Sequence, residues 1–182
     1  MDQLVLHYDN CGVSGLCFKQ LHDHRGLSIH FLLDVDGTIY QTIDLKERAW
    51  HATVANNRSI GIEIANIGAF APNDMSQLRK LYRIDEAGNI HLQLPQEWAA
   101  RMKTKDFQSG PVRDFLIHGD IHGTPLVMYD FTPEQYDSLI KLVATLTKIF
   151  PKLKCDYPKD KQGQLITKKL PDEAWERFQG IL

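Results

Sequence analysis

Arg58-Ser59-Ile60-Gly61-Ile62-Glu63-Ile64 alternates aliphatic with small or polar residues. A period of two belongs to a strand, so Ile60, Ile62 and Ile64 share one face and Ser59, Gly61 and Glu63 the other. A carboxylate among aliphatics and glycine is costly unless it is paired, hydrogen-bonded or turned to a wet cleft. Glu63 therefore looks into a site or sits on an edge strand facing water. Upstream, Gln3-Leu4-Val5-Leu6-His7-Tyr8 is a continuous apolar run suited to a buried central strand. His7 closes it, at the C-terminal strand end where α/β sheets place their ligands. An imidazole there is either a ligand or structural.

The segments between fit the same sheet. Ser14 can cap a short helix through about His24, with Gly26 as its stop. Residues 29–33 and 38–42 flank Asp36-Gly37, a dipeptide that tolerates the positive φ of a tight turn. Residues 68–129 hold Pro72, Pro95, Pro111 and Pro125 and read as a long insertion of short elements over one side of the core. Thr132-Pro133-Glu134-Gln135 opens the longest helix with a capping box, and Pro151 stops it. Its core-facing stripe is predicted as Tyr136, Leu139, Ile140, Val143, Leu146 and Phe150. The remainder is polar, with a short helix around residues 172–178, and Gly180-Ile181-Leu182 reads as the start of another strand. The order strand, helix, hairpin, strand, insertion, helix, strand predicts a mixed sheet packed by helices.

Composition bounds the function. With 43% hydrophobic and 24% charged residues, the 182-residue chain reads as an ordinary globular domain. A net charge of -2 argues against nucleic acid as a partner, and no apolar run approaches a membrane span. Met1-Asp2-Gln3 shows no basic leader of a signal peptide, and cytoplasm and cell envelope both stay open. Cys11, Cys17 and Cys155 match no zinc-knuckle spacing. They read as free buried thiols, or as a Cys11–Cys17 bridge in an oxidising compartment.

Arg48-Ala49-Trp50-His51-Ala52 combines a cation, a large aromatic and an imidazole. Such a set can grip a polar ligand with an apolar flank, or it can be a packed loop around a buried indole. Leu6-His7-Tyr8, the hairpin of residues 30–40, the Arg48 to Ala52 motif and residues 57–63 follow in one order. Together they resemble the type 2 N-acetylmuramoyl-L-alanine amidases, relatives of the peptidoglycan recognition proteins. The resemblance covers about residues 4 to 66, is looser over 131–150 and leaves the insertion out. It implies an α/β fold with a mixed central β-sheet flanked by helices. It also implies Zn2+-dependent hydrolysis of the amide between N-acetylmuramic acid and L-alanine, in peptidoglycan or muropeptides. On this resemblance His7 is the first zinc ligand and Glu63 the glutamate that activates water. Arg48, Trp50, His51 and Asn57 line the substrate groove, and His30 is structural. Ile29 stands where some members carry a catalytic tyrosine, which points to the glutamate-dependent variant.

A hydrolytic zinc takes three protein ligands and keeps one position open. The resemblance puts the second, a histidine, on the strand after the long helix, and the third, an aspartate or cysteine, beyond it. Both are then expected past Leu182. The chain is expected to be one domain, 1–182, incomplete at its C-terminus and lacking its last strand, with the insertion at about 68–129. His118 and His122, with Asp130, are the alternative donors; Gly119 and Gly123 make their segment a loop, where surface histidines are the ordinary reading. The competing functions are a non-catalytic peptidoglycan-binding module and an inactive fragment. Oligomeric state is left open.

Overall fold

β1 (Gln3–Tyr8) and β4 (Ser59–Ile64) run parallel at the middle of a five-stranded sheet ordered β3-β2-β4-β1-β9. The computed structural model describes residues 1–121 and 123–182. β2 (Phe31–Leu33) extends the parallel set beyond β4, and β3 (Ile39–Gln41) returns antiparallel. β9 (Gly180–Ile181) joins β1 in parallel at the other edge. The molecule is thus an α/β protein with a mixed central sheet flanked by helices.

One face of that sheet is hydrocarbon. Ile60, Ile62 and Ile64 lie with Leu4, Phe31 and Leu33 under α4 (Pro133–Ile149), whose Leu139, Leu142, Val143 and Leu146 complete the layer. Burying each such side chain stabilises the fold by about 1.5–3 kcal/mol. The stripe differs from expectation at Ile140, which is 66% exposed. The core-facing positions 139, 142, 143 and 146 repeat at helical spacing, and Ile140 is turned off that line while Leu142 is turned onto it. The capping box forms as predicted: Gln135 N–H donates to Thr132 Oγ1 (3.1 Å), and Thr132 N–H to Gln135 Oε1 (3.0 Å). Thr132 also donates to the Val35 carbonyl (2.7 Å) and Gln135 to that of Ala65 (2.7 Å). The helix start is thereby clasped to the chain just past β2 and β4. Gly37 (φ +77°) closes the hairpin turn against α4, where a Cβ would stand 2.6 Å from the Glu134 carbonyl oxygen.

The other face carries α1 (Ser14–Phe18), which continues as a π-helical turn over Lys19–His24. Ser14 does not cap it. Val13 occupies the cap position, and the Ser14 N–H donates to the Asp34 carboxylate (3.1 Å). Asp34, and not the Ser14 hydroxyl, thus supplies the side-chain acceptor at this helix start.

Residues 68–129 form α2 (Ser76–Leu81), the hairpin of β5 (Tyr82–Ile84) and β6 (Ile90–Leu92), and α3 (Gln96–Ala99). They also form a second hairpin of β7 (Ile117–Ile121) and β8 (Thr124–Met128). The second hairpin replaces the predicted loop around Gly119. Val127 is buried against Leu78 and Tyr129 and bridges to Phe70, so tertiary packing outweighs the glycines. Met102, Trp98, Phe107 and Leu94 seat this layer on Val13, Val35 and Ala65. Those three residues follow β1, β2 and β4, so the segment roofs the C-terminal ends of the parallel strands. α5 (Asp172–Arg177) leads into β9. The Gln3 side-chain amide donates to the carbonyls of Trp175 (3.0 Å) and Phe178 (3.1 Å), and Arg58 grips Asp2 through two bonds (2.8 and 2.7 Å). Leu6 N–H donates to the Leu182 carbonyl (2.8 Å), so the pairing runs along β1 toward His7. No described helix is long and apolar enough to cross a membrane.

Candidate active site

In the β1–β4 ladder His7 stands directly beside Glu63. Neighbouring residues of a parallel pair project to the same side, so both side chains leave the sheet opposite the isoleucines. His7 Nε2 lies 3.0 Å from His51 Nδ1, and His51 Nε2 lies 3.2 Å from Ser59 Oγ. Gly61 makes this possible. A Cβ there would come within 2.6 Å of the His51 ring and 2.5 Å of Ile29.

The loop that presents His51 is held by Asn56, whose Oδ1 accepts from the N–H groups of His51 (3.0 Å) and Ala52 (2.7 Å). Asn56 is buried, whereas its neighbour Asn57, the residue expected at the groove, is exposed. Nothing in the Asn56-Asn57 pair discloses which amide faces inward, because that depends on the pitch of one 3₁₀ turn. His30 is buried with both nitrogens engaged: Nδ1 accepts from Gly61 N–H (3.1 Å) and Nε2 donates to the Glu47 carbonyl (3.1 Å). It braces β4 rather than facing solvent.

Burial lowers the pKa of His7, and burial with the neighbouring His7 and His30 brings His51 down to about 4. Neutral imidazoles each carry one donor and one acceptor nitrogen. A tautomer chain in which His7 donates to His51 and His51 to Ser59 leaves His7 Nδ1 with a free lone pair. Glu63 has no hydrogen-bond partner among the described residues. Burial, helped by the charge of Asp9 and opposed by that of Arg25, lifts its pKa to about 7. A carboxyl in that range can take up and return a proton near neutrality.

A cleft of about 560 Å³ opens beside His51, bordered by Arg25, Leu27, Arg48, Trp50 and Val54. The Arg48 guanidinium sits 4.0 Å over the Trp50 ring, and Trp50 is 52% exposed. The indole is therefore a wall of the cleft, not a buried core residue.

The metal donors are a different matter. Among the described residues the one convergent group of three His, Cys, Asp or Glu side chains is Asp9, Cys11 and Cys17, and His7 is not in it. His118 is exposed on β7, and the Asp130 carboxylate is committed to Arg113 (2.6 Å) and the Tyr136 hydroxyl (2.7 Å). His122 lies outside the described residues. The three cysteines are free thiols; Cys17 is buried and Cys11 half-buried, but Cys155 is exposed, contrary to expectation. Asp9, unremarked in the sequence reading, accepts three backbone N–H groups through Oδ1.

Fold and site together define an α/β protein with a carboxyl and an imidazole side by side on β1 and β4 and a largely apolar cleft next to His51. Over residues 1–167 the sequence matches the N-acetylmuramoyl-L-alanine amidase family, and the chain belongs to that family. That membership supports an amidase or peptidoglycan-binding function. No match is found among curated proteins.

Proposed function

We propose that this chain is the hydrolytic domain of a zinc-dependent N-acetylmuramoyl-L-alanine amidase, with residues 68–129 inserted in that single domain. The bond cut is the amide between the lactyl group of N-acetylmuramic acid and L-alanine, in peptidoglycan or muropeptides. The observation that carries the reading is the adjacency of His7 and Glu63 on the polar face of the β1–β4 ladder.

His7 would hold the ion through its free nitrogen. Zinc, when bound, polarises a carbonyl and acidifies water. A three-donor set around His7 does not exist among the described residues. Glu63 accepts a proton from the attacking water and returns it to the L-alanine nitrogen as the C–N bond breaks. Arg48 pairs with a carboxylate of the stem peptide, and the Trp50 face covers an apolar flank of the sugar. His51, held by Ser59 and Asn56, keeps the His7 ring oriented.

The test is release of peptide from a soluble muramoyl-peptide with Zn2+ supplied, by the chain and by Glu63→Gln. Release that Glu63→Gln abolishes supports the proposal; equal release by both proteins sinks it. A second reading, binding without hydrolysis, draws on the missing donors at His7. Muropeptide binding that Glu63→Gln leaves intact, with no release by either protein, would select it.

A further inference from the structure

Asp9, Cys11 and Cys17 stand together where the chain leaves β1 and winds into α1. One carboxylate oxygen and the two sulfurs all lie within 4.8 Å of one another. Buried cysteines usually need no ligand, since a thiol packs as a small hydrophobe. Cys17, 2% exposed among Ile29 and Leu32, would pass for one of these. Asp9 does not fit that account. Its Oδ1 takes N–H donors from Cys11 (2.9 Å), Gly12 (3.3 Å) and Asn66 (3.1 Å), yet Oδ2 is buried without any hydrogen-bond partner. An oxygen left so is costly unless something else satisfies it.

The surroundings say what that could be. The acids Asp9 and Glu63 lie beside both sulfurs and, once ionised, set negative charge there, with Arg25 the opposing cation at Cys11. An anion is repelled there, and a small cation is drawn in. Two sulfurs with one carboxylate oxygen suit a borderline or soft divalent ion and disfavour magnesium or calcium, which take oxygen. Sulfurs each about 2.3 Å from one zinc stand roughly 3.8 Å apart, so donors within 4.8 Å of one another need to close by at most about 1 Å. Cys11 is half-buried and gives the ion a way in.

We propose that Asp9, Cys11 and Cys17 form a thiolate site for a divalent cation of the zinc and cadmium class. Binding breaks two S–H bonds, releases both protons to solvent and makes two sulfur–metal bonds, with no change of oxidation state. The fourth position is left to water. The site shares no residue with the zinc proposed at His7 and does not depend on that proposal. An ion there ties the loop after His7 to the start of α1.

The probe is Cd2+, added to the reduced full chain carrying Cys155→Ser, which removes the exposed thiol. The expected result is a stoichiometric ultraviolet thiolate-to-cadmium band, with Cys11 and Cys17 protected from alkylation in the same sample. Cys11→Ser and Cys17→Ser are each expected to weaken binding on the order of a hundredfold, Asp9→Asn less, and His7→Ala not at all. Alkylation at equal rates with and without Cd2+ needs no change at Asp9, Cys11 or Cys17 and would overturn the proposal. A band surviving Cys17→Ser, or a Cys11–Cys17 disulfide in the protein as isolated, would do the same.

Discussion

The two faces of β4 are made by alternate residues of one six-residue strand and do opposite work. Ile60, Ile62 and Ile64 disappear under α4 and contribute cohesion. Ser59, Gly61 and Glu63 meet the imidazoles of His51 and His7, and Glu63 carries a desolvation cost instead. The strand is affordable as a site because its other side is so well packed. A rigid ladder holds Glu63 beside His7 although burial works against its charge.

The sharpest way to break this division is to change Glu63 alone. Glu63→Gln is expected to lower peptide release by about 10²–10⁴-fold, with folding retained by circular dichroism. Ile62→Ala, one residue away on the other face, is expected to cost about 2–5 kcal/mol in urea unfolding. The protein still folded should keep its turnover. If Ile62→Ala instead removed turnover from folded protein, the two faces would not be independent. Gly61→Ala tests the polar face by shape alone. Its Cβ meets His51 and Ile29, so a loss of about 1–3 kcal/mol is expected. The His51–His7 contact should break with it, read from the imidazole resonances.

The smallest effect is on pH. Measured without metal, Glu63 in the folded chain holds a proton between its ordinary value of 4.5 and about 7, while the unfolded chain has released it. Its contribution to stability is therefore complete below about 4.5 and declines as pH rises to about 7. Glu63→Gln should gain on the parent protein across that window and hold the gain above it, in matched unfolding curves with chelator. His51 acts in the other sense. Held near 4 against 6.5, it stays neutral in the fold where the unfolded ring is protonated, so its contribution fades as pH falls through that interval.

Much of the scaffold could be read from local pattern. The apolar run of β1, the alternation of β4, the Asp36-Gly37 turn and the Thr132 capping box each have a short-range cause. The misreadings share a cause as well. The acceptor role expected of Ser14 fell to Asp34, twenty residues away; Ile140 was rotated off the contact line; β7 and β8 formed because Phe70 and Tyr129 gave Val127 a partner and a core. Each was decided by a neighbour distant in sequence.

Residue periodicity alone determined which side of β4 would be greasy and which could carry chemistry, because side-chain direction in a strand follows from backbone geometry. Only the folded molecule decided that His51 lies over Gly61, that Asn56 and not Asn57 holds it there, and that Asp9 meets two sulfurs. Those are contacts between segments, and their energies depend on approach distances and on water excluded by third parties. No local stretch of the chain encodes them.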